Sequence, residues 1–257
     1  MLRFGISYQK IISRVMLHEG PRIFFISIGK SGTHLLERAL CLHPSLYRRW
    51  IPTLTTHNFH KYTSDMDVLL ASVKPNQILV AHWYYDPVLL ASLRSGKFKM
   101  LFMMRDPRDV IISEIHYVLR SAKHLFFKWY AAEPDMKSRI KLAINGTSDR
   151  SYLPINERLE LHLPWREVLF PVRFEELINM KTQAVQLERV FQYLDVPFDN
   201  SLLTQVQSNM ISKSSPTFRK GTSGGWMEYF DEELKDLFKR TANDQLIKMG
   251  YENDPDW

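Results

Sequence analysis

The chain reads as an α/β protein, a largely parallel sheet flanked by helices, and three observations lead there. Short apolar runs rich in β-formers alternate with segments of helical spacing, the pattern of parallel strands joined by crossover helices. No internal repeat, low-complexity tract or Gly/Ser linker divides the 257 residues, so residues 1–257 are expected to form a single domain, a common length for one α/β core. Two charged turns directly follow apolar runs, at the strand ends where such folds bind ligands.

Residues 1–20 come first. Arg3, Lys10, Arg14 and His18 interrupt their apolar character, so they read as a short amphipathic lead-in rather than a signal peptide. Arg22 to Ile28 (RIFFISI) is a short, buried strand. Gly29 to Thr33 is a turn of small residues, and Thr33 to Leu40 has apolar positions at helical spacing. Gln77 to Val80 is a second strand, followed by a helix at Pro87 to Ser95 whose proline suits a first helical turn. Lys99 to Met104 is a third strand. Arg105-Asp106-Pro107 then turns the chain into a helix reaching about Arg120. A fourth strand lies within Glu167 to Phe174, and helices follow at Thr182 to Leu194 and from about Asp231 to Met249.

Composition narrows the class of function. Hydrophobic residues make up 45% and charged residues 24%, as in ordinary soluble proteins, and no apolar stretch approaches the length of a membrane helix. A lone cysteine, Cys41, cannot form an internal disulfide and suits a reducing compartment, so a cytoplasmic location is expected. The net charge of +6 favours an anionic partner. The cations form no dense run and do not interleave with aromatics, so that partner is read as a small polyanion rather than a nucleic acid or a membrane.

The strand–turn–helix around Gly29-Lys30-Ser31-Gly32-Thr33 is an anion site on physical grounds. Glycines let backbone amides approach an anion, the helix start adds partial positive charge, Lys30 adds a full one, and Ser31 and Thr33 add hydroxyls. A Walker loop would need its first glycine at residue 24, which is Phe24, so the loop is too short to wrap a triphosphate. A P-loop kinase is therefore the rival that an ATP assay with and without magnesium would separate. A nucleic-acid-binding protein is the other, and would show strongly salt-dependent affinity. Two further segments have phosphate-binding chemistry. Arg105-Asp106-Pro107-Arg108-Asp109-Val110-Ile111-Ile112-Ser113 offers an arginine fork and a hydroxyl, although Asp106 or Asp109 could serve merely as helix caps. Phe218-Arg219-Lys220-Gly221-Thr222-Ser223-Gly224-Gly225-Trp226 sets two cations beside a glycine-rich loop, which taken alone would be solvated.

In this order, the three segments resemble the family of sulfotransferases that use PAPS (3′-phosphoadenosine 5′-phosphosulfate). IGKSGTHLL looks like the family's 5′-phosphosulfate loop, RDPRDVIIS like its 3′-phosphate motif and FRKGTSGGW like its carboxyl-terminal loop. The likeness spans roughly residues 22 to 230 and implies a P-loop-kinase-like fold, PAPS as cofactor with PAP as its product, and no metal. By position, Lys30, Ser31, Gly32 and Thr33, with His34 in reach, would hold the phosphosulfate. Arg105, Ser113, Arg219, Lys220 and Gly221 would hold the 3′-phosphate, and Phe174 falls where the family often has a tyrosine near the adenine. His34, Leu35 and Val80 replace a threonine, a tryptophan and a lysine of the animal cytosolic enzymes, which makes the motifs look closer to bacterial members.

His82, in VAHWYYDP, falls where the family keeps its general base, and its chemistry suits removal of a proton from an attacking hydroxyl near neutral pH. His57 and His60 are second-choice bases. Lys30 is the second catalytic candidate, set to neutralise charge on the leaving phosphate. No cluster has metal-ligand spacing. The expected acceptor is a small organic molecule, with Trp50–Tyr62, Trp83–Tyr85 and Arg120–Trp165 as its walls. The aromatics of the last stretch, Phe126, Phe127, Trp129 and Tyr130, serve equally well as ordinary helix packing.

Overall fold

A computed structural model describes residues 19–211 and 221–257. The expected lead-in, up to residue 18, lies outside the described residues, as do Arg219 and Lys220. The chain runs β1 (Arg22–Ser27), α1 (Thr33–Leu42), β2 (Tyr47–Arg48), β3 (Leu54–Thr55), α2 (Met66–Ala71), β4 (Gln77–His82), α3 (Pro87–Ser95), β5 (Phe98–Met104) and α4 (Pro107–Val118). Short helices follow, α5 (Phe127–Ala132), α6 (Met136–Asn145), α7 (Ile155–Glu160) and α8 (Leu163–Val168). The remainder is β6 (Phe170–Arg173), α9 (Phe174–Ile178), α10 (Gln183–Leu194), α11 (Asn200–Met210) and α12 (Glu232–Met249).

The sheet order is β2-β4-β1-β5-β6, with β3 also on β4, and every pairing is parallel. β2 pairs with the start of β4 and β3 with its end, so one edge position is shared by two short pieces. β1 is central because its apolar run has no exposed face. Phe24 and Ile26 join a core with α3, α4 and α6, while Ile23 and Phe25 join a second core with α1, α10 and α11. Period-2 alternation thus feeds both faces, as buried parallel strands require. Each fully buried Phe or Ile contributes about 1.5–3 kcal/mol, so β1 is an energetic centre as well as a geometric one.

The starts of the three helices nearest the site differ. α3 and α4 are capped by aspartates. Asp86 accepts from the amides of Val88 and Leu89, Asp106 accepts from Arg108, and a proline opens each helix. α1 begins at Gly32 in the left-handed region with no side-chain cap. Its first amides therefore keep hydrogen-bonding capacity, beside β1 at the middle of the sheet, where the strand order reverses. Among the described residues no helix is long and apolar enough to cross a membrane, and Cys41 is a buried free thiol.

Candidate active site

The loop between β1 and α1 is held by its own backbone. The amide of Ser31 donates to the carbonyl of Ile28 at 3.2 Å, and Lys30 and Gly32 adopt φ of 67° and 95°. A left-handed lysine is strained, and such residues persist where the surroundings impose them, typically at ligand sites. Gly32 has no alternative, since a Cβ there would lie 2.5 Å from the Phe174 ring and 2.9 Å from Met103 Cε. Ser31 is fully buried, and its Oγ has no hydrogen-bond partner among the described residues. A buried hydroxyl of this kind is costly unless something accepts from it. The Lys30 ammonium rests 3.4 Å from the centroid of the Tyr117 ring. Burial lowers its pKa to about 8; Glu114 partly offsets this, while Arg105 and Arg120 push the same way as burial.

Arg105 ends the turn after β5 and is drawn to the same place. Its guanidinium stacks on Phe174 at 4.2 Å and donates to the carbonyls of Lys30 at 3.4 Å and Thr222 at 3.1 Å. Phe174, the first residue of α9, is buried between that guanidinium and Gly32. The first loop, the RDP turn and the start of the glycine-rich loop thus meet around one arginine. Ser113 lies half-buried farther along α4, and Gly221, with φ of 66°, opens the described part of the glycine-rich loop.

The two aspartates of the RDP motif divide their work. Asp106 is the helix cap and also grips Arg108 with both carboxylate oxygens. Asp109 accepts from the amides of Gly224 at 2.8 Å and Trp226 at 2.9 Å, and lies 3.7 Å from Arg105. Burial pushes its carboxyl up, with Arg105 as the main opposing influence. It moors the glycine-rich loop to α4, a role that spacing alone could not distinguish from capping. Arg108 adds a second mooring: it pairs with Glu252 at 2.6 Å and is flanked by Trp226 and Trp257 at 4.0 and 4.3 Å.

His82 stands at the end of β4. The parallel register that sets Ile26 beside Ala81 brings it next to Ser27. Its Nδ1 lies 2.9 Å from the Ser27 carbonyl and 3.1 Å from Ser27 Oγ, which is 2.8 Å from Thr33 Oγ1. Burial lowers the histidine's pKa, the Ser27 carbonyl opposes this, and His34 and Lys30 lower it further. A neutral imidazole at neutral pH is the form a base requires. His34 bonds Glu37 at 3.3 Å, and Glu37 is paired with Arg48. His57 and His60 are exposed on the loop after β3, and Val80 points into the core of α1 and α10.

Beside His82 the segment after β4 presents aromatic rings. Phe59 meets Trp83 edge-on at 5.7 Å, and Tyr84 and Tyr85 meet His162 and Trp165, each at 5.0 Å. The Trp165 indole donates to the Trp83 carbonyl, and the Tyr85 amide donates to the Leu161 carbonyl at 2.7 Å, so α7 and α8 brace this wall. Within the long aromatic stretch, Tyr130 is a core residue, with Phe126, Phe127 and Trp129 packed partly buried against it. Tyr130, Tyr152 and Arg158 converge on Glu114, the residue after Ser113. Sequence patterns did not flag Ser27, Glu114 or Tyr117, and they offered Asp109 only as a possible helix cap in the RDP motif. Among the described residues no group of His, Cys, Asp or Glu is arranged to hold a metal.

Known proteins resemble this chain in sequence and in fold. Sulfotransferase 2A1 of Macaca fascicularis is 21% identical over 250 residues, covering 90% of this chain and 86% of its own length. The human sulfotransferase 2A1 is 20% identical over 260 residues with the same coverage. Mouse sulfotransferase SULT7A1, solved in complex with PAP, superposes with a TM-score of 0.65 at 17% identity, over 95% of this chain and 93% of its own. Retinol dehydratase in complex with androsterone and PAP gives 0.60 at 17% identity, over 87% and 80%. At these identities the solved structures speak to the fold, which is the one the motifs implied. The sequence profile described as the sulfotransferase domain matches residues 20–250, from before β1 to beyond α12, and the chain therefore belongs to the sulfotransferase-domain family.

Proposed function

We propose that the protein transfers a sulfuryl group from PAPS to a hydroxyl or amine of a small organic acceptor, with His82 as general base and Lys30 as the cation at the leaving phosphate. The observation that carries this reading is the convergence at one sheet edge of the left-handed loop, Arg105 and His82, joined through Ser27. The residues fit the nucleotide: the buried Ser31 hydroxyl needs an acceptor, and the first amides of α1 have no side-chain cap. Lys30, Ser31, Gly32 and Thr33 would hold the 5′ end, and Arg105, Ser113, Arg219, Lys220 and Gly221 the 3′-phosphate. PAP in the neighbours' complexes supports the nucleotide.

When bound, PAPS supplies the sulfuryl group, which goes to the acceptor as the bond to phosphate breaks and PAP leaves with that electron pair. His82 takes the acceptor's proton at Nε2, since Nδ1 is engaged by Ser27. Lys30 and the uncapped amides of α1 stabilise charge that grows as the reaction proceeds, the kind of interaction that accelerates a step rather than merely tightening binding. The aromatic wall of Trp83, Tyr84 and Tyr85, backed by the buried His162 and Trp165, suits an apolar acceptor. Two neighbours are in complex with retinol and androsterone, which supports that class. A cytoplasmic location and one domain over 1–257 remain part of this proposal.

Calorimetry with PAP and ATP, each without divalent metal, tests the nucleotide reading. PAP binds tightly and raises the melting temperature, while ATP, lacking a 3′-phosphate for Arg105, binds more weakly. Equal affinities, or an absolute need for magnesium, would return the protein to the kinase reading.

A further inference from the structure

We infer that Ser27 is a positioning residue that sets which nitrogen of His82 is bare and couples the base to the anion-binding loop. The inference rests on the reading of His82 as the base.

Ser27 is fully buried at the last position of β1, and both of its oxygens face the His82 ring. A backbone carbonyl can only accept, so Nδ1, at 2.9 Å from it, carries the proton. Neutral imidazole has one N–H, and Nε2 is therefore left with its lone pair. The same Nδ1–H reaches Ser27 Oγ at 3.1 Å. Because that oxygen receives a proton bond from the histidine, its own hydrogen is available to Thr33 Oγ1 at 2.8 Å. With an anion at the start of α1 to take Thr33's own hydrogen, the chain runs from Nδ1–H to Ser27 Oγ–H to Thr33 Oγ1. Thr33's hydroxyl hydrogen is then free of the chain, at the first turn of α1, and is available to an anion there.

This arrangement has two effects on the chain's own residues. Ser27 holds the imidazole in the tautomer in which Nε2 can accept a proton. When Nε2 does so, the imidazolium binds the Ser27 carbonyl more strongly, since a charged donor makes the stronger bond. The carbonyl thus fills the orienting role that a carboxylate plays in a Ser-His-Asp triad, without adding a negative charge beside an anionic substrate. The hydroxyl meanwhile makes the threonine a donor toward the anion and not an acceptor.

The test uses 15N-histidine-labelled protein, free and with PAP, as wild type, Ser27→Ala, Ser27→Thr and His82→Gln. Turnover is measured on the same samples with 2-naphthol, a flat phenol matched to the aromatic wall. In the wild type, His82 shows a protonated, pyrrole-like Nδ1 and a bare, pyridine-like Nε2. Ser27→Ala keeps the carbonyl and with it the tautomer but breaks the Oγ link. The response of the His82 signals to PAP that the wild type shows is therefore lost, and kcat falls about tenfold, the effect of one ordinary hydrogen bond, with a smaller change in PAP affinity. Ser27→Thr restores signals and rate together. A wild-type His82 protonated at Nε2 overturns the inference, and so does a Ser27→Ala protein whose His82 signals respond to PAP as those of the wild type do. Parallel loss of kcat and PAP affinity in Ser27→Ala would make Ser27 only a brace for the loop. His82→Gln separates the two claims: full turnover removes the base reading itself, whereas a dead His82→Gln beside a fully active Ser27→Ala removes only the role of Ser27. The spectroscopic arm needs no acceptor, so the tautomer is decided whatever the turnover assay returns.

Discussion

Lys30 loses its charge as pH rises through about 8, because burial holds its pKa to about 8. The protonated form is the one that neutralises a leaving phosphate, so kcat/KM for PAPS falls on the alkaline side through that value. On the acid side, burial has moved His82 below the ordinary histidine value, and the rate persists at a pH where an exposed histidine would already be protonated. A profile of kcat/KM for PAPS against pH checks both limbs; a value still climbing well above pH 8 would remove Lys30 from the chemistry. Lys30→Ala is expected to cost roughly a hundredfold or more in kcat, while Arg105→Ala chiefly weakens PAP binding, since the charge Arg105 faces is constant through the reaction. His82→Ala should keep PAP affinity and lose about 10²- to 10⁴-fold in transfer. A folded His82→Ala protein with undiminished transfer would send the search to His57, His60 or His34. These residues were legible because each sits in a segment with its own chemical signature. Ser27 and Tyr117 were not, since a strand-end serine and a helical tyrosine are what ordinary packing would also place there.

At the scale of elements, α4 is the piece on which the proposed nucleotide site is assembled, and Asp109 is its anchor point for the glycine-rich loop. Asp109→Ala leaves two amides without their acceptor and releases the loop from the helix. PAP affinity should drop by about tenfold or more, at a cost in stability of about 1–3 kcal/mol. Calorimetry paired with thermal melts measures both, and unchanged PAP affinity would mean that the loop is positioned by Arg108 and its tryptophans alone. The strands β1, β4 and β5, with their following helices, could be read from the sequence because each is a compact apolar run ended by a turn. The pieces β2 and β3 could not, being two residues each and dependent on β4 for definition. The α5–α8 region was read as an undivided aromatic stretch because its helices are short and are specified by the tertiary contacts of Tyr130, Tyr152 and Trp165 rather than by period.

Across the whole molecule, stability and function draw on the same central strand. Phe24→Ala removes a fully buried ring at the middle of the sheet and should cost about 3–5 kcal/mol in denaturant unfolding. PAP binding should recover part of that loss, because the ligand binds only the folded chain. A cost under about 1 kcal/mol would mean that β1 is less central than its packing indicates. Fold class was visible at this scale from alternation alone. Sheet order was not, since nothing local tells a strand which neighbours it will have. That order also has a bearing on descent. The groups proposed to face the nucleotide come from the ends of β1 and β5 and from α4, whereas the aromatic wall comes from the β3–β4 edge and the helices between α4 and β6. On the proposed reading donor and acceptor groups therefore interleave along the chain up to β5, and the stretch between residues 120 and 165 is the one set apart for the acceptor side. Mutations accumulating there would retune what is sulfated while the apparatus that handles the activated sulfate is inherited intact.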